Sequence, residues 1–334
     1  MLFFRMKSHA GGTLPPKQIK PSKIKNMKME FKFSIRAVSH SSGVAVCAGG
    51  LMLLSSNAQA QNLFASDYHS GNIYEYTPSG VRSTFATGLS DPFGLAFNST
   101  GNLFEADGNE SGPATGSIYE FTPGGARSTF AAGLATPYGL AFNSAGNLFE
   151  ADESSGNIYE FTPSGTRSTF ASGLSSPYDL AFNSAGNLFE ADESSGNIYE
   201  FTPGGARSTF ASGLSSPYGL AFNSAGVLFG SDEGSGNIYE FTPSGTRSTF
   251  ASGLSSPTGL AFNSAGDLFE ADFGSGNIYE FTPAGVRSTF ATGLAGPLTL
   301  AFQGVTLPVP EPSTLELLAV GAVAFLVRRY RCHP

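Results

Sequence analysis

The chain has no tryptophan, and only two cysteines and four histidines among its 334 residues. Cys47 and Cys332 lie near the two ends, so residues 61–304 carry no thiol. That excludes a disulfide, a zinc–thiolate centre and a cysteine nucleophile from this stretch. Positive charge is scarce there too. All seven lysines precede residue 61, and between 61 and 304 six arginines stand against 23 aspartates and glutamates, a formal charge of −17. Phosphate contacts need a basic surface, so no nucleic acid is expected as a partner. One histidine remains in the stretch, His69 in "DYHSGN". A histidine acid or base needs a partner within hydrogen-bond reach, and no neighbouring residue marks one. His69 is expected to be an exposed loop residue.

What the stretch has in abundance is repetition. The phrase "NLFEAD", or a variant of it, starts at Asn62, Asn102, Asn147, Asn187, Val227 and Asp267, at intervals of 40 residues except for a second interval of 45. A period in this range signals units that stack because none buries its apolar face alone. Each unit holds four short apolar phrases, such as "YGLAF", "NLFEA", "NIYEF" and "RSTFA", separated by Gly, Pro, Asn and Ser clusters. That spacing belongs to all-β proteins, and no unit shows a capped helical periodicity. In "TPSGT", Pro163 supplies the φ near −65° that a turn needs and Gly165 the positive φ, so a tight hairpin is predicted. "NSAGN" at residues 143–147 closes another.

Four strands in about 40 residues describe one blade of a β-propeller. The first unit opens at its second strand, and the last copy ends on a spare first strand at residues 298–302. The fold expected is therefore all-β: a six-bladed propeller with four antiparallel strands per blade, closed when residues 298–302 pair with residues 63–66. Closure removes the hazard of an unpaired edge. The 30 phenylalanines suit blades covered on both faces. Phe104, Phe149, Phe189, Phe229 and Phe269, with Phe130, Phe170, Phe210, Phe250 and Phe290, are expected in the inter-blade core.

The phrase "PYGLAFNSAGNLFEADESSGNIYEF", from Pro137, resembles the NHL repeat and its relatives in the senescence marker protein and gluconolactonase superfamily, whose blades run Pro-x-Gly-Leu-Ala-x-x-x-x-Gly-Asn-Leu-x-x-Ala-Asp. The resemblance covers residues 62–304. It implies a six-bladed propeller and leaves the activity open, because one fold hosts many chemistries.

The two ends carry targeting information. Lys23, Lys25, Lys28, Lys32 and Arg36 precede an apolar stretch at residues 43–54 and then Ala58-Gln59-Ala60, the layout of a secretory signal peptide cleaved after Ala60. Met1, Met27 and Met29 are all open as translation starts. The C-terminal "VPEPSTLELLAVGAVAFLVRRYRCHP" has an apolar run at residues 315–327, interrupted by Glu316. As a helix it reaches about 20 Å, short of a roughly 30 Å hydrocarbon core. The segment resembles the PEP-CTERM sorting signal of Gram-negative bacteria, which implies recognition by a membrane exosortase through Val309, Pro310, Glu311, Pro312 and the arginines Arg328, Arg329 and Arg331. Three regions are thus expected: an N-terminal extension and signal peptide at 1–60, the propeller at 61–304, and a sorting tail at 305–334. Expected partners are Sec-type export machinery, signal peptidase and exosortase, with transient membrane insertion of the tail. The expected location is the cell surface or outside.

Residues that repeat in every unit are read as structure. Asp67, Asp107, Asp152, Asp192, Asp232 and Asp272 end the second strand before a Gly/Ser loop, where Asp is expected to bond backbone N–H groups two residues on. Glu75, Glu120, Glu160, Glu200, Glu240 and Glu280 sit one hairpin away from Arg82, Arg127, Arg167, Arg207, Arg247 and Arg287, which suggests a girdle of ion pairs. "DESSGN" is too short and too poor in acids for a 12-residue calcium loop.

Sites break symmetry, so unit-specific residues are the place to search. The residue after the first-strand proline reads Phe93, Tyr138, Tyr178, Tyr218, Thr258 and Leu298. In metal-dependent lactonases of the resembled superfamily, a Pro-Asn-Gly phrase places a metal-binding Asn at this position, and no unit here has one. Asp179, in place of a glycine, and Asp91 do not make up a metal set. No metal, cofactor or catalytic residue is expected. The four aromatics Phe93, Tyr138, Tyr178 and Tyr218 are the candidate ligand-binding residues, suited to stacking on sugar rings of an extracellular polysaccharide. The function expected is a non-catalytic binding or structural component of the cell surface or matrix. The alternative is a gluconolactonase-like hydrolase or lyase with a metal site at the channel mouth.

Overall fold

A computed structural model describes residues 61–108 and 115–304. These residues form 24 strands in six four-stranded antiparallel sheets. The third blade shows how the sequence builds each one. Its strands are Pro137–Phe142, Leu148–Asp152, Asn157–Phe161 and Arg167–Ser172. Between the first two, Asn143 Oδ1 accepts from the N–H groups of Ala145 and Asn147, and Gly146 takes φ 82°. Between the last two, Thr162 and Gly165 close the turn and Gly165 takes φ 83°, as "TPSGT" predicts.

The ring closes through its own last strand. Pro297–Phe302 pairs antiparallel with Leu63–Asp67, bringing Leu63 opposite Phe302 and Phe64 opposite Ala301. The junction is fastened at both ends. Asp67 accepts from the N–H groups of Ala295 and Gly296, and the Gln303 N–H donates to the Asn62 carbonyl.

The core lies between blades. Phe149 meets Phe170 of its own blade edge-on at 5.0 Å and Phe182 of the next at 5.0 Å. The same triad recurs around the ring, and in the sixth blade its third member is Phe302 of the closing strand. The expected core phenylalanines divide into two sets. Phe104, Phe149, Phe189, Phe229 and Phe269 are buried, whereas Phe130, Phe170, Phe210, Phe250 and Phe290, on the outer strands, are half-buried and lie against the core.

The structure corrects two expectations. The Glu–Arg girdle does not form, because the register pairs Arg167 with Phe161 and Glu160 with Ser168, putting Glu160 and Arg167 on opposite faces of the sheet. Arg167 instead stacks over the Tyr159 ring at 4.9 Å and donates to the Gly133 carbonyl of the preceding blade, while Glu160 accepts from Asn147. All six arginines repeat this arrangement. The second correction concerns the repeated aspartates. Asp152 accepts from Ser155 three residues on, and also from the Ala135 and Thr136 N–H groups at the entry to the blade's first strand. It therefore ties the second strand to the start of the first.

Candidate functional site

The first strands of the blades line the central channel. Each begins with its proline paired to the aspartate that ends the second strand, as Pro177 is to Asp192. The residue after the proline therefore sits at one mouth of the channel. Phe93, Tyr138, Tyr178 and Tyr218 meet there. Phe93 stacks on Tyr138 at 3.9 Å, Tyr138 lies 4.4 Å from Tyr178, and Tyr178 lies 4.7 Å from Tyr218. Leu298 joins the same cluster, and Tyr68 stacks on Phe93 from the rim.

These side chains fill most of the mouth. The cavity among Tyr138, Tyr178, Asp179, Tyr218 and Thr299 measures about 10 Å³, close to the minimum that holds one water. Three of the small residues lining it are required by close approach of neighbouring strands. A Cβ on Gly139 would collide with the Tyr178 carbonyl oxygen, one on Gly219 with that of Thr258, and one on Gly259 with that of Leu298.

Asp179 is the one carboxylate on that wall. Its Oδ1 accepts from the Leu180 N–H at 2.9 Å and its Oδ2 from the Leu220 N–H of the next blade at 2.8 Å. Burial pushes the carboxyl up to about 6, with those two backbone donors opposing. Burial also pushes the Tyr178 hydroxyl up to about 12 against a hydrogen bond with Tyr138, helped by the charges of Glu153, Glu193 and Glu233.

Those three glutamates form an arc on the rim that the sequence reading missed. Each follows the aspartate that ends a second strand, in the third, fourth and fifth blades. Each reaches to the next blade, where Ser176, Ser216 and Ser256 donate to Glu153, Glu193 and Glu233 respectively. The signal for them was positional: the equivalent residues in other units are Tyr68, Gly108 and Phe273. His69 is exposed as expected and lies 5.3 Å from Phe273, away from the glutamate arc. Asp91 stands at the entry to the second blade's first strand and does not line the cavity. Among the described residues no group of three or more His, Cys, Asp or Glu is placed to hold a metal ion.

A second set of carboxyls was also missed. Glu105, Glu150, Glu190 and Glu270 are 0 % exposed, and neither oxygen of any of them has a hydrogen-bond partner among the described residues. Glu150 stands between Leu140 and Tyr159 in the sheet. Burial raises these four carboxyls well above the ordinary glutamate range; the neighbouring aspartate adds to the shift and the outer-strand arginine opposes it. Ala65 and Gly230 occupy the equivalent positions in the other two blades. Their regular spacing inside the core makes them part of the scaffold.

Residues 308–331 match the PEP-CTERM protein-sorting motif. The motif implies an exported, cell-surface-targeted protein processed by exosortase. Its residues Val309, Pro310, Glu311, Pro312, Arg328, Arg329 and Arg331, like the leader expected over 1–60, lie outside the described residues. No curated protein matches the chain. Among solved structures, one chain of the nidogen/laminin complex is 21 % identical with a TM-score of 0.66, over 73 % of this chain and 98 % of its own. A virginiamycin B lyase from Staphylococcus aureus is 16 % identical with a TM-score of 0.56, over 74 % of this chain and 92 % of its own. A protein classed by family as a gluconolactonase is 17 % identical with a TM-score of 0.56, over 64 % and 82 %. At these identities the likeness is one of fold, a six-bladed propeller.

Proposed function

We propose that the mature protein is a non-catalytic binding component of the extracellular polysaccharide matrix or cell surface, in which, of the four candidate aromatics, the half-buried Tyr138 and Tyr178 stack on sugar rings and the buried Phe93 and Tyr218 pack behind them. The observation that carries this reading is the contiguous aromatic cluster at the channel mouth, backed by a cavity of only about 10 Å³. A lactone or similar substrate is too large for this recess, whereas a sugar ring lying on the cluster does not need to enter it. Amphipathic tyrosines suit such a contact because the ring supplies an apolar face and the hydroxyl a polar handle.

In this reading the precursor is exported by Sec-type machinery, signal peptidase cuts after Ala60, and the tail inserts transiently until exosortase removes it near Pro312. Intact mass of the surface protein checks both cuts; a mass that includes residues 315–334 would make the tail a permanent anchor. The lyase and gluconolactonase among the fold neighbours favour a second reading, a hydrolase or lyase at the same mouth. Retention on extracellular polysaccharide, together with lactone hydrolysis assayed with and without added divalent metal, separates the two. Retention without turnover supports binding, and metal-dependent turnover would overturn it.

A further inference from the structure

Resting on the polysaccharide reading, the geometry points to a primary ammonium as the group this mouth recognises, and so to a polysaccharide with free amino sugars as the ligand. The recess among Tyr138, Tyr178, Asp179 and Tyr218 is about the size of one water, and an –NH3+ group is a donor of that size. A neutral sugar ring is too large to enter.

The groups around the recess are those a cation needs. Asp179 presents two carboxylate oxygens, each occupied by one backbone donor and each with a lone pair to spare. Tyr218, 9 % exposed, lines the same recess. Tyrosine faces attract an ammonium through their quadrupoles. Glu153, Glu193 and Glu233 stand above on the same three blades and act electrostatically on Tyr178. No lysine occurs between residues 61 and 304, and the six arginines are held on tyrosine rings at the outer strands. The arc therefore has no arginine or lysine counterion among the described residues. Carboxylates clustered at a concave, partly desolvated mouth raise the local concentration of cations. On the opposite half of the mouth, Tyr68 and Phe273, half-buried over Phe93 and Leu298, offer the apolar wall against which a sugar ring can lie.

Calorimetric titration of the full chain with three oligomers of equal length, oligoglucosamine, its fully N-acetylated form and oligolysine, tests this. Oligoglucosamine should bind at least tenfold more tightly than either of the others. Asp179→Asn should weaken that binding at least tenfold, and Tyr218→Phe, which removes only the hydroxyl, should weaken it severalfold with unfolding unchanged. Equal affinity for the acetylated oligomer, or unchanged affinity in both variants, would overturn the ammonium site. Oligolysine binding as tightly as oligoglucosamine would overturn the choice of a sugar. If the acetylated or neutral polysaccharide is retained in wild type and Asp179→Asn alike, the aromatic platform stands and the ammonium site fails. Retention of no polysaccharide at all would sink both.

Discussion

The outer three strands of the blades are nearly copies of one another, whereas the mouth of the channel differs from blade to blade. In the outer strands the same phenylalanine triad, the same arginine over tyrosine and the same aspartate clasp recur around the ring. At the mouth, the third to fifth blades bring tyrosines and glutamates, and the remaining three bring phenylalanine, leucine, threonine and a lone histidine. Repetition therefore marks what holds the ring together, and divergence marks where a ligand could be told from its neighbours.

The largest expected effect is on the shell. Truncation after Gly296 removes the strand that completes the first blade, and with it the Phe302 contact to Phe269 and the hydrogen bonds from Thr299 to Ser66 and from Gln303 to Asn62. Losing one buried phenylalanine alone costs about 3–5 kcal/mol. The truncated chain should lose its cooperative thermal transition by circular dichroism. Melting like the intact chain would show that closure does not depend on this strand.

The four buried glutamates give the next largest effect. Their carboxyls are raised in the folded ring, so between the ordinary glutamate range and the raised values the folded state holds protons that the unfolded chain releases. Their contribution is complete below the ordinary range and is lost as pH rises through the raised values. The slope is at most about 1.4 kcal/mol per pH unit for each carboxyl. Denaturant midpoints should fall as pH rises from 4 to 8. Glu150→Leu with Glu190→Leu should flatten that fall and stabilise the ring at neutral pH, since an apolar side chain of similar volume leaves nothing unpaired. A steeper slope in the double variant would contradict the burial argument.

The ring and its closure were legible in the sequence because their signals are local. Pro163 with Gly165 and Asn143 with Gly146 each specify a turn within five residues, and the spare strand at the end follows from counting. The Arg–Tyr stacking was legible in principle, since the hairpin register already sets Glu160 and Arg167 on opposite faces. The aspartate clasps were not, because Asp152 bonds residues 16 and 17 positions earlier, brought near only by the fold. Glu150 reads as an ordinary charge in a short strand until the neighbouring blade covers it. At the mouth, the four aromatics were found from their shared position. The size of the recess and the placing of Asp179 in it depend on how close adjacent strands come, which no single unit encodes.

The smallest expected effect belongs to the outer arginines. Arg167→Ala removes one exposed cation–π contact and one long hydrogen bond to Gly133, and should cost about 0.5–1 kcal/mol in chemical denaturation. A loss of several kcal/mol would mean that the arginine contacts to Tyr159 and Gly133 carry much of the ring's stability.

The claim that the divergent mouth binds and the repeated shell supports is tested most directly by retention of two triple variants of the full chain on extracellular polysaccharide. One replaces Tyr138, Tyr178 and Tyr218 by Ala, and the other replaces Arg167, Arg207 and Arg247 by Ala, with circular dichroism confirming that both keep the propeller. The mouth variant should lose retention and the outer variant should keep it. Undiminished retention by the mouth variant, or loss confined to the outer one, would contradict the account.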